Sequence, residues 1–398
     1  MINVSDSKRN ISLENCEVAF SSRSSAELLK MNFLFWVMNN PKLNKFSTEL
    51  LLNCIRLKLP IQPLVKHTIF NHFCGGETLR ECLKTIDNLS KFNIGTILDY
   101  SVEGEKNETG FDHVVHETLK TIEIASKKQY VPFAVFKTSG IASVEILEKA
   151  QKGELTNPSE LEAFNRARIR FAMICKTAAE GNVRIFVDGE ESWIQGVIDQ
   201  WTYEEMALYN KEKALIFNTY QLYRSDILGL LKTAHQRAKS SEYVLGAKLV
   251  RGAYMEKEAS YALKNGLINP IQTSKENTDK DFDLGTRYCL ENIESIHFCA
   301  GSHNEKSNLL LAELIDALGM NRADERIWFA QLFGMSDNIS FALSREGFNV
   351  AKYVPYGPVF SVMPYLVRRA AENTSVAGQT SRELTLIQKE RKRRNHSG

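Results

Sequence analysis

The sequence predicts an α/β protein folded as a (β/α)8 barrel, and three observations lead to that fold class. Eight short apolar runs recur between residues 95 and 357 of the 398-residue chain. Longer amphipathic stretches separate most of them, and strands that alternate with helices pair in parallel through right-handed crossovers. None of the runs ends in the G-x-G-x-x-G turn typical of the main alternative, an open doubly wound sheet. Eight strand–helix units in a chain of this length therefore indicate the barrel.

The predicted elements follow one another regularly. The eight strands are expected at residues 95–100, 132–137, 184–188, 215–221, 246–252, 296–304, 327–334 and 350–357. Helical patterns fill most of the intervals, as at residues 162–180 and 225–240, and they also dominate the first 90 residues, where three prolines interrupt them. The pattern predicts three parts, namely an N-terminal helical extension (1–90), the barrel (91–380) and a basic C-terminal tail (381–398).

The composition narrows the class of protein. With 43% hydrophobic and 25% charged residues the chain is typical of a globular protein, and its net charge of +2 argues against a dedicated nucleic-acid binder. Its seven cysteines form no C-x-x-C pair, which favours reduced thiols in a cytosolic protein and no zinc site. We find no targeting peptide and no apolar run near the roughly 18 residues of a spanning helix. We therefore expect a cytoplasmic protein, at most peripheral on the inner face of a membrane.

Polar side chains stand at the carboxyl ends of the predicted strands, where the chemistry of α/β barrels is sited. They are Asp99, Tyr100, Lys137, Asp188, Gln221, Lys248, Arg251, His303, Asn304, Gln331 and Tyr353. Charges in a barrel mouth are costly unless they are paired or bound to a ligand. Several cations converging there predict an anionic ligand, and the alternative is an internally paired salt-bridge network.

Lys137, directly after an apolar run, leaves the reaction class open. A desolvated lysine can act as a Schiff-base nucleophile, which would make the protein a flavin-free barrel lyase. The same lysine can stay protonated and hold a carboxylate or a flavin carbonyl. A third hypothesis is a non-catalytic protein that binds an anionic metabolite.

The segment YLVRRAAEN (365–373) places four polar side chains on one broad helix face. Tyr365 lies three and four residues before Arg368 and Arg369, and Glu372 lies four and three residues after them. Paired arginines are well suited to gripping a carboxylate, and Glu372 can orient them. The alternative is a surface helix with ordinary ion pairs. Because the segment follows the last predicted strand, we expect it over the barrel mouth.

Eight motifs in this order resemble the proline dehydrogenase (proline oxidase) family, in its monofunctional, FAD-containing branch. They read FKTSG, VDGEES, FNTYQLYR, KLVRGAYMEKE, GSHN, FAQLFGM, KYVPYGPV and YLVRRAAEN, and the resemblance covers roughly residues 70–395. The resemblance implies a distorted (β/α)8 barrel whose last helix lies above the mouth. It also implies FAD at the carboxyl ends of the strands and proline between the flavin and that helix.

The resemblance further implies a role for each matching residue. Catalytic roles are implied for Lys137, Asp188, Arg368 and Arg369, and substrate contacts for Lys137, Leu332, Tyr353, Tyr365, Arg368, Arg369 and Glu372. Cofactor contacts are implied for Asp188, Gln221, Lys248, Arg251, Gly252, Ala253, Tyr254, Ser302, His303, Asn304, Gln331 and Glu372. Some branches of the family exchange the cation types at 248 and 251, which leaves open which of the two faces flavin N5. Family members that act on hydroxyproline tend to have a smaller residue at the position of Tyr353, so the resemblance implies a preference for proline over its 4-hydroxy analogue.

The implied reaction is the first step of proline catabolism, the oxidation of L-proline to Δ1-pyrroline-5-carboxylate. A hydride passes from C5 to N5 of FAD, and the electrons then pass to a membrane quinone. The basic cluster Lys389, Arg391, Lys392, Arg393 and Arg394 can dock on anionic lipid. A merely solubilising tail explains the cluster equally well.

Overall fold

A computed structural model of the chain describes residues 11–40, 42–44, 47, 61–102, 105–375 and 379–396. The side chains of residues 370–380 are outside this description. The helical pattern at residues 48–59, part of the predicted N-terminal extension, also lies outside the described residues.

Eight parallel strands close into a barrel in the order of the sequence, which confirms the predicted fold class. The strands are β1 (Ile94–Tyr100), β2 (Phe133–Phe136), β3 (Arg184–Val187), β4 (Ile216–Gln221), β5 (Leu245–Val250), β6 (Ile296–Gly301), β7 (Ile327–Leu332) and β8 (Val350–Tyr356). Strand β8 pairs back onto β1 over its whole length, from Val350 opposite Ile94 to Tyr356 opposite Tyr100. This closure excludes the open doubly wound sheet.

Aromatic rings fill the barrel interior. Phe133 stacks on Phe186 with ring centroids 4.2 Å apart, and Phe217 meets both rings edge-on. Side chains alternate between the two faces of a strand, so the residue two positions beyond an interior position also points inward. Phe186 is thereby followed at the mouth by Asp188. The inward-facing aromatic residues therefore determine which polar residue of each strand end faces the barrel mouth.

Helices precede the barrel and surround it. Those before β1 are α1 (Cys16–Ala19), α2 (Ser25–Asn39), α3 (Gln62–Val65), a π-helical turn (Lys66–Phe70), α4 (Asn71–Phe73) and α5 (Leu79–Ser90). Those after the strands are α6 (Glu108–Lys127), α7 (Val144–Lys152), α8 (Pro158–Glu180), α9 (Ser192–Tyr209), α10 (Ile227–Ser240), α11 (Met255–Asn265), α12 (Lys275–Glu291), α13 (Glu305–Ala317), α14 (Asp337–Arg345), α15 (Met363–Ser375) and α16 (Gln379–His396). Local signals set several ends: Ser24 and Glu27 form a capping box at α2, and Gly153 and Gly266 end α7 and α11 at positive φ.

The basic tail forms a helix, α16, docked against α2. Leu384 and Ile387 of α16 pack with Leu28 and Phe35 of α2 in one buried cluster. At its other end α2 contributes Met38 to a cluster with α15, the helix that carries the arginine pair. Helix α2 therefore packs against both α16 and α15, the helix that follows the last strand.

Helix α2 also exposes an apolar stripe on the side opposite its buried face. Leu29, Phe33 and Trp36 recur at helical spacing and are 55%, 65% and 51% exposed. A helix that is apolar on both sides is unusual at a water-facing surface.

Across the described residues, we find no helix with the length and hydropathy needed to cross a membrane.

Candidate active site

A buried carboxylate at the end of β3 is the centre of the candidate site. Asp188 accepts hydrogen bonds from the Lys248 ammonium and from the Tyr353 hydroxyl, the latter at 2.8 Å. The Lys137 ammonium lies 3.4 Å from the other Asp188 oxygen and 3.7 Å from Asp99. Lys248 also donates to the Tyr353 hydroxyl at 3.0 Å. Barrel closure thus brings together four residues on or directly after strands that are far apart in the sequence, namely Lys137, Asp188, Lys248 and Tyr353. All four were predicted site residues.

The electrostatics of this cluster favour a charged carboxylate. Burial alone would raise the pKa of Asp188, but the charges on Lys248 and Lys137 and the Tyr353 hydrogen bond outweigh it, so its pKa lies below the ordinary value. Burial and the neighbouring Asp188 raise the pKa of Tyr353 well above its usual value. The phenol therefore stays neutral and donates to Asp188.

Helix α15 covers the mouth with its arginines. Arg369 is only 8% exposed, and its guanidinium lies 5.3 Å from the centroid of the Tyr365 ring. Burial lowers the pKa of His303, at the end of β6, to about 3, and the charges on Lys352 and Arg369 contribute to this. Burial raises the pKa of Tyr254, after β5, while the charge on Arg368 opposes the rise. Arg369 is therefore buried and Arg368 half-buried, and their charges act on His303 after β6 and on Tyr254 after β5.

Glu372, predicted to orient the arginines, belongs to helix α15, and only its backbone is described. Its side chain is outside the described part of the chain, so its role stays a prediction.

Apolar and aromatic side chains line the space between the barrel and α15. Leu332 packs both with the barrel interior and with the cluster that includes Tyr365. The Tyr353 ring lies nearly parallel to that of Phe186, 6.4 Å away, with the Lys248 ammonium 5.0 Å from its centroid. Leu332 therefore links the cluster that contains Tyr353 to the one that contains Tyr365, and the role of the three residues as pocket walls stays a prediction.

The two cations of KLVRG occupy different places. Lys248 points into the barrel, where it contacts Asp188 and Tyr353. Arg251 lies at the rim, donating to Asp279 at 2.6 Å and to Ser302 at 2.6 Å, with its guanidinium 4.4 Å from the Phe282 ring centroid. Of the two, Lys248 is therefore the cation beside the central carboxylate.

The predicted residues after β6 are held by one another. The Ser302 hydroxyl accepts from Arg251 and from the Asn304 backbone N–H at 3.1 Å, and Asn304 caps α13. His303 Nε2 lies 3.4 Å from the Leu332 N–H, and Nδ1 lies 2.9 Å from the Ser336 hydroxyl. Because a backbone N–H can only donate, we assign the proton of the neutral ring to Nδ1.

The two predicted glutamines use their amides in contacts between elements. Gln221 donates to the Glu190 carbonyl at 2.7 Å. Gln331 donates to the Ser302 carbonyl at 3.1 Å and accepts from Ser340 of α14 at 2.8 Å. Gln331 therefore faces the surrounding helices, and its hydrogen bonds brace β7 against α14. Its predicted contact with a cofactor stays untested.

The ends of β5 and β6 fit a dinucleotide such as FAD. Gly252 has φ +127°, and a Cβ there would overlap the Tyr223 ring, so only glycine lets the backbone take this path. Helices α11 and α13 begin just after these neighbouring strands and direct N–H groups towards the rim that holds Arg251. Backbone donors and a guanidinium suit a diphosphate.

Two acidic residues at the mouth had no role in the sequence prediction. Asp99 was recognised as a strand-end residue, and it now forms an ion pair with Lys137. Glu190 accepts from the Ser139 N–H at 2.9 Å, and burial raises its pKa to about 7. This bond ties the loop after Asp188 to the turn after Lys137. Its position two residues beyond Asp188 was the signal that could have identified it.

The chain is similar to known proteins in both its sequence and its fold. The family described as proline dehydrogenase matches residues 82–382. The chain is 34% identical to the carbapenem antibiotics biosynthesis protein CarD of Pectobacterium carotovorum subsp. carotovorum, over 81% of this chain and 83% of that protein. It is 33% identical to the mitochondrial proline dehydrogenase 1 of Dictyostelium discoideum, over 94% of this chain and 74% of that protein. The fold is similar to that of proline utilization A from Bdellovibrio bacteriovorus inactivated by N-propargylglycine, with a TM-score of 0.71, 20% identity and coverage of 94% of this chain but 40% of that one.

Proposed function

The chain belongs to the proline dehydrogenase family, and from that premise we propose that it oxidises L-proline to Δ1-pyrroline-5-carboxylate with FAD as its cofactor. The reaction removes a hydride from C5 and a proton from the ring nitrogen, and we propose flavin N5 as the hydride acceptor. The observation that carries this proposal is the Asp188 cluster of Lys137, Lys248 and Tyr353 beneath the arginine pair of α15.

The pocket supports binding of a small ring that bears a carboxylate. Arg368 and Arg369 can bind the carboxylate, since guanidinium groups match its geometry. Leu332, Tyr353 and Tyr365 then enclose the ring. The Tyr353 hydroxyl is held by Asp188 and Lys248, so its ring cannot easily move aside for a larger substrate. This rigidity supports the preference for proline over 4-hydroxyproline.

The chemistry divides between the cofactor and the protein. Bound FAD would supply the acceptor for the hydride, which no amino-acid side chain offers. Lys137 and the arginine pair favour loss of the nitrogen proton from the substrate by repulsion between like charges. Asp188 orients Lys137, Lys248 and Tyr353 around the position of the ring.

The contacts of Lys137 argue against a Schiff-base lyase. Such an enzyme needs the free amine, whereas the carboxylates of Asp188 and Asp99, at 3.4 and 3.7 Å, favour the ammonium. We propose that Lys137 stays charged beside the substrate.

The proposed cofactor contacts follow the strand ends. We propose that Lys248 lies beside the flavin ring and that the rim holds the remainder of the dinucleotide. The proposed rim residues are Gln221, Arg251, Gly252, Ala253, Tyr254, Ser302, His303 and Asn304.

An absorption spectrum tests the proposed function. We expect the purified protein to be yellow, with flavin absorbance that is bleached when L-proline is added without oxygen, because two electrons pass from each proline to the cofactor. A colourless protein, or a yellow one whose spectrum ignores L-proline, would contradict the proposal. D-Proline serves as the control, since it places its carboxylate differently when the ring is in the same position.

We further propose that a membrane quinone takes the electrons and that the protein binds the membrane peripherally. The apolar stripe of α2 supports this, since exposed Leu, Phe and Trp side chains partition into the lipid interface. Lys389 and Lys392 add exposed positive charge on the neighbouring α16. The rest of the basic tail is partly committed elsewhere, because Arg393 and Arg394 both bind Glu390.

Charge placed on the stripe tests this docking surface. We expect Trp36→Glu to weaken binding to anionic vesicles about tenfold, since it removes a large apolar side chain from the interface. Activity with a soluble dye should stay unchanged. Leu263→Glu, at a position that is 86% exposed on α11, is the matched control and should leave vesicle binding intact. Equal losses for both variants, or none for either, would argue against the stripe.

A further inference from the structure

A buried ionic cluster lies outside the proposed catalytic residues and joins β8 to the terminal helices. Lys352, on β8, is 1% exposed, and its ammonium lies 2.8 Å from Asp337 of α14. Arg23, just before α2, pairs with the other Asp337 oxygen at 3.3 Å. Glu383 of α16 completes the cluster by accepting a hydrogen bond from the Ser336 backbone N–H.

The cluster surrounds the loop between β7 and α14, whose backbone is strained. Gly334 and Ser336 have φ values of +77° and +52°, in the left-handed region that a serine seldom adopts. A Cβ on Gly334 would overlap the carbonyl of His72, whose ring nitrogen lies 2.8 Å from the Gly334 carbonyl. Lys352 holds the Met335 carbonyl at 2.5 Å. Three elements therefore fix successive residues of this loop.

The loop connects two parts of the candidate site. It begins directly after Leu332, one of the proposed pocket walls, and the Ser336 hydroxyl binds His303 Nδ1 at 2.9 Å. His303 Nε2 accepts from the Leu332 N–H, so the ring spans both ends of the loop. Any movement of Ser336 is thereby transmitted to His303 and to Leu332.

We propose that Glu383 is a positioning residue for the substrate pocket, acting through Ser336 and His303 to fix Leu332. This inference rests on the proposed function for its kinetic readout. Arg23 and Glu383 both lie outside residues 82–382, the range that matches the family, so two flanking segments add charged side chains to the barrel rim, Glu383 buried and Arg23 half-buried. The C-terminal helix thus has a role at the site besides packing.

The energetics favour a specific anchor. The left-handed backbone of Ser336 is unfavourable for a residue with a side chain unless another contact compensates for it. The hydrogen bond from the Ser336 N–H to the buried Glu383 carboxyl group is such a contact. Burial and the nearby Asp337 raise the pKa of Glu383 to about 7, while the Ser336 N–H and Lys352 oppose the rise. In either protonation state an oxygen of Glu383 can accept from Ser336.

Three substitutions in the holoenzyme test the proposal. Glu383→Ala removes the acceptor, and we expect KM for L-proline to rise about tenfold, with kcat within about twofold of wild type. Glu383→Gln keeps an acceptor oxygen and should stay within about twofold of wild type in both parameters. Ser336→Ala keeps the backbone bond but removes the contact with His303, and it should raise KM about threefold.

Glu390→Gln is the matched control. Glu390 is a fully buried carboxylate on the same helix, and it binds Arg393 and Arg394 at 2.8 and 2.7 Å. Its loss should lower the Tm without changing KM. If Glu383→Ala and Ser336→Ala both lower the Tm and leave KM at the wild-type value, the role of Glu383 is structural only and the proposal is wrong.

A spectroscopic readout is independent of turnover. The 15N NMR signals of His303 should show the Nδ1-protonated neutral ring in the wild type and in Glu390→Gln, and should change in Glu383→Ala and Ser336→Ala. An unchanged His303 signal in both of these variants overturns the proposal even if proline is not the substrate. A wild type that fails to oxidise proline while the His303 signals respond as expected would contradict only the proposed function.

Discussion

Replacing Arg369 by methionine is expected to raise KM for L-proline about 100-fold while the protein keeps its bound FAD. Methionine retains much of the length of the side chain but removes the donors proposed for the substrate carboxylate. Loss of one partner of a buried, hydrogen-bonded charge pair costs about 3–5 kcal/mol, and 2.7 kcal/mol corresponds to 100-fold. Arg368→Met should act in the same direction. Steady-state kinetics and the flavin-to-protein absorbance ratio measure the two quantities separately.

Arg382→Met is the matched control for both variants. Arg382 is an arginine on the neighbouring helix α16, where it forms ion pairs with Glu305 and Glu14, each at 3.1 Å. These partly exposed ion pairs contribute little to stability. Since Arg382 is not among the proposed substrate contacts, KM should stay at the wild-type value. Unchanged kinetics in both Arg368→Met and Arg369→Met would remove the proposed carboxylate clamp.

Asp188→Asn is expected to reduce kcat/KM at least about 100-fold and to destabilise the protein by about 3 kcal/mol. Asparagine has the same shape but leaves the ammonium groups of Lys137 and Lys248 without the charge that they share. Stability falls because a buried charge without its partner is unfavourable, and activity falls because the two ammonium groups lose the carboxylate that positions them. Dye-coupled kinetics and denaturant unfolding measure them.

Asp316→Asn tests whether loss of any aspartate ion pair would do the same. Asp316 binds Arg322 at 2.7 Å in a partly exposed pair away from the mouth. Its loss should cost no more than about 1 kcal/mol and leave kinetics intact. If Asp188→Asn behaves like this control, Asp188 is not the organising residue of the site.

The barrel was predictable from the sequence because each of its strands and helices is marked by a pattern within its own short segment. Each strand is a short apolar run whose interior positions are two residues apart, and each connection carries its own helical period. The end of β2 shows the limit of this reasoning. The run extends to Lys137, but the strand ends at Phe136 because its last pairings are made by the four residues before the lysine.

The partners of the polar residues were less predictable. Lys248 and Arg251 are three positions apart, and only the closed barrel shows that one points inward and the other to Asp279. Gln331 stands at a strand end like the site residues, yet it faces the helices. Strand register decides such orientations, and register depends on contacts that are distant in sequence.

The contacts that the N-terminal and C-terminal segments make with the barrel rim were the least predictable from the sequence. Neither Glu383 nor Arg23 was among the predicted site residues. Their position beside Lys352 and Asp337 requires α2 and α16 to pack next to the barrel, which no local pattern specifies. The sequence predicted a basic tail without specifying its structure, and its described residues form helix α16 as far as His396.

The contact between α2 and α15 has a consequence for how a ligand enters. Met38 of α2 shares a buried cluster with Tyr365 and Leu366 of α15, and α2 is itself held by α16. The cover of the pocket is therefore a three-helix assembly and not a single flap. Displacing α15 would also disturb its contacts with α2 and, through α2, those with α16. We therefore expect a molecule that binds α2 or α16 to change the rate at which a ligand enters the pocket.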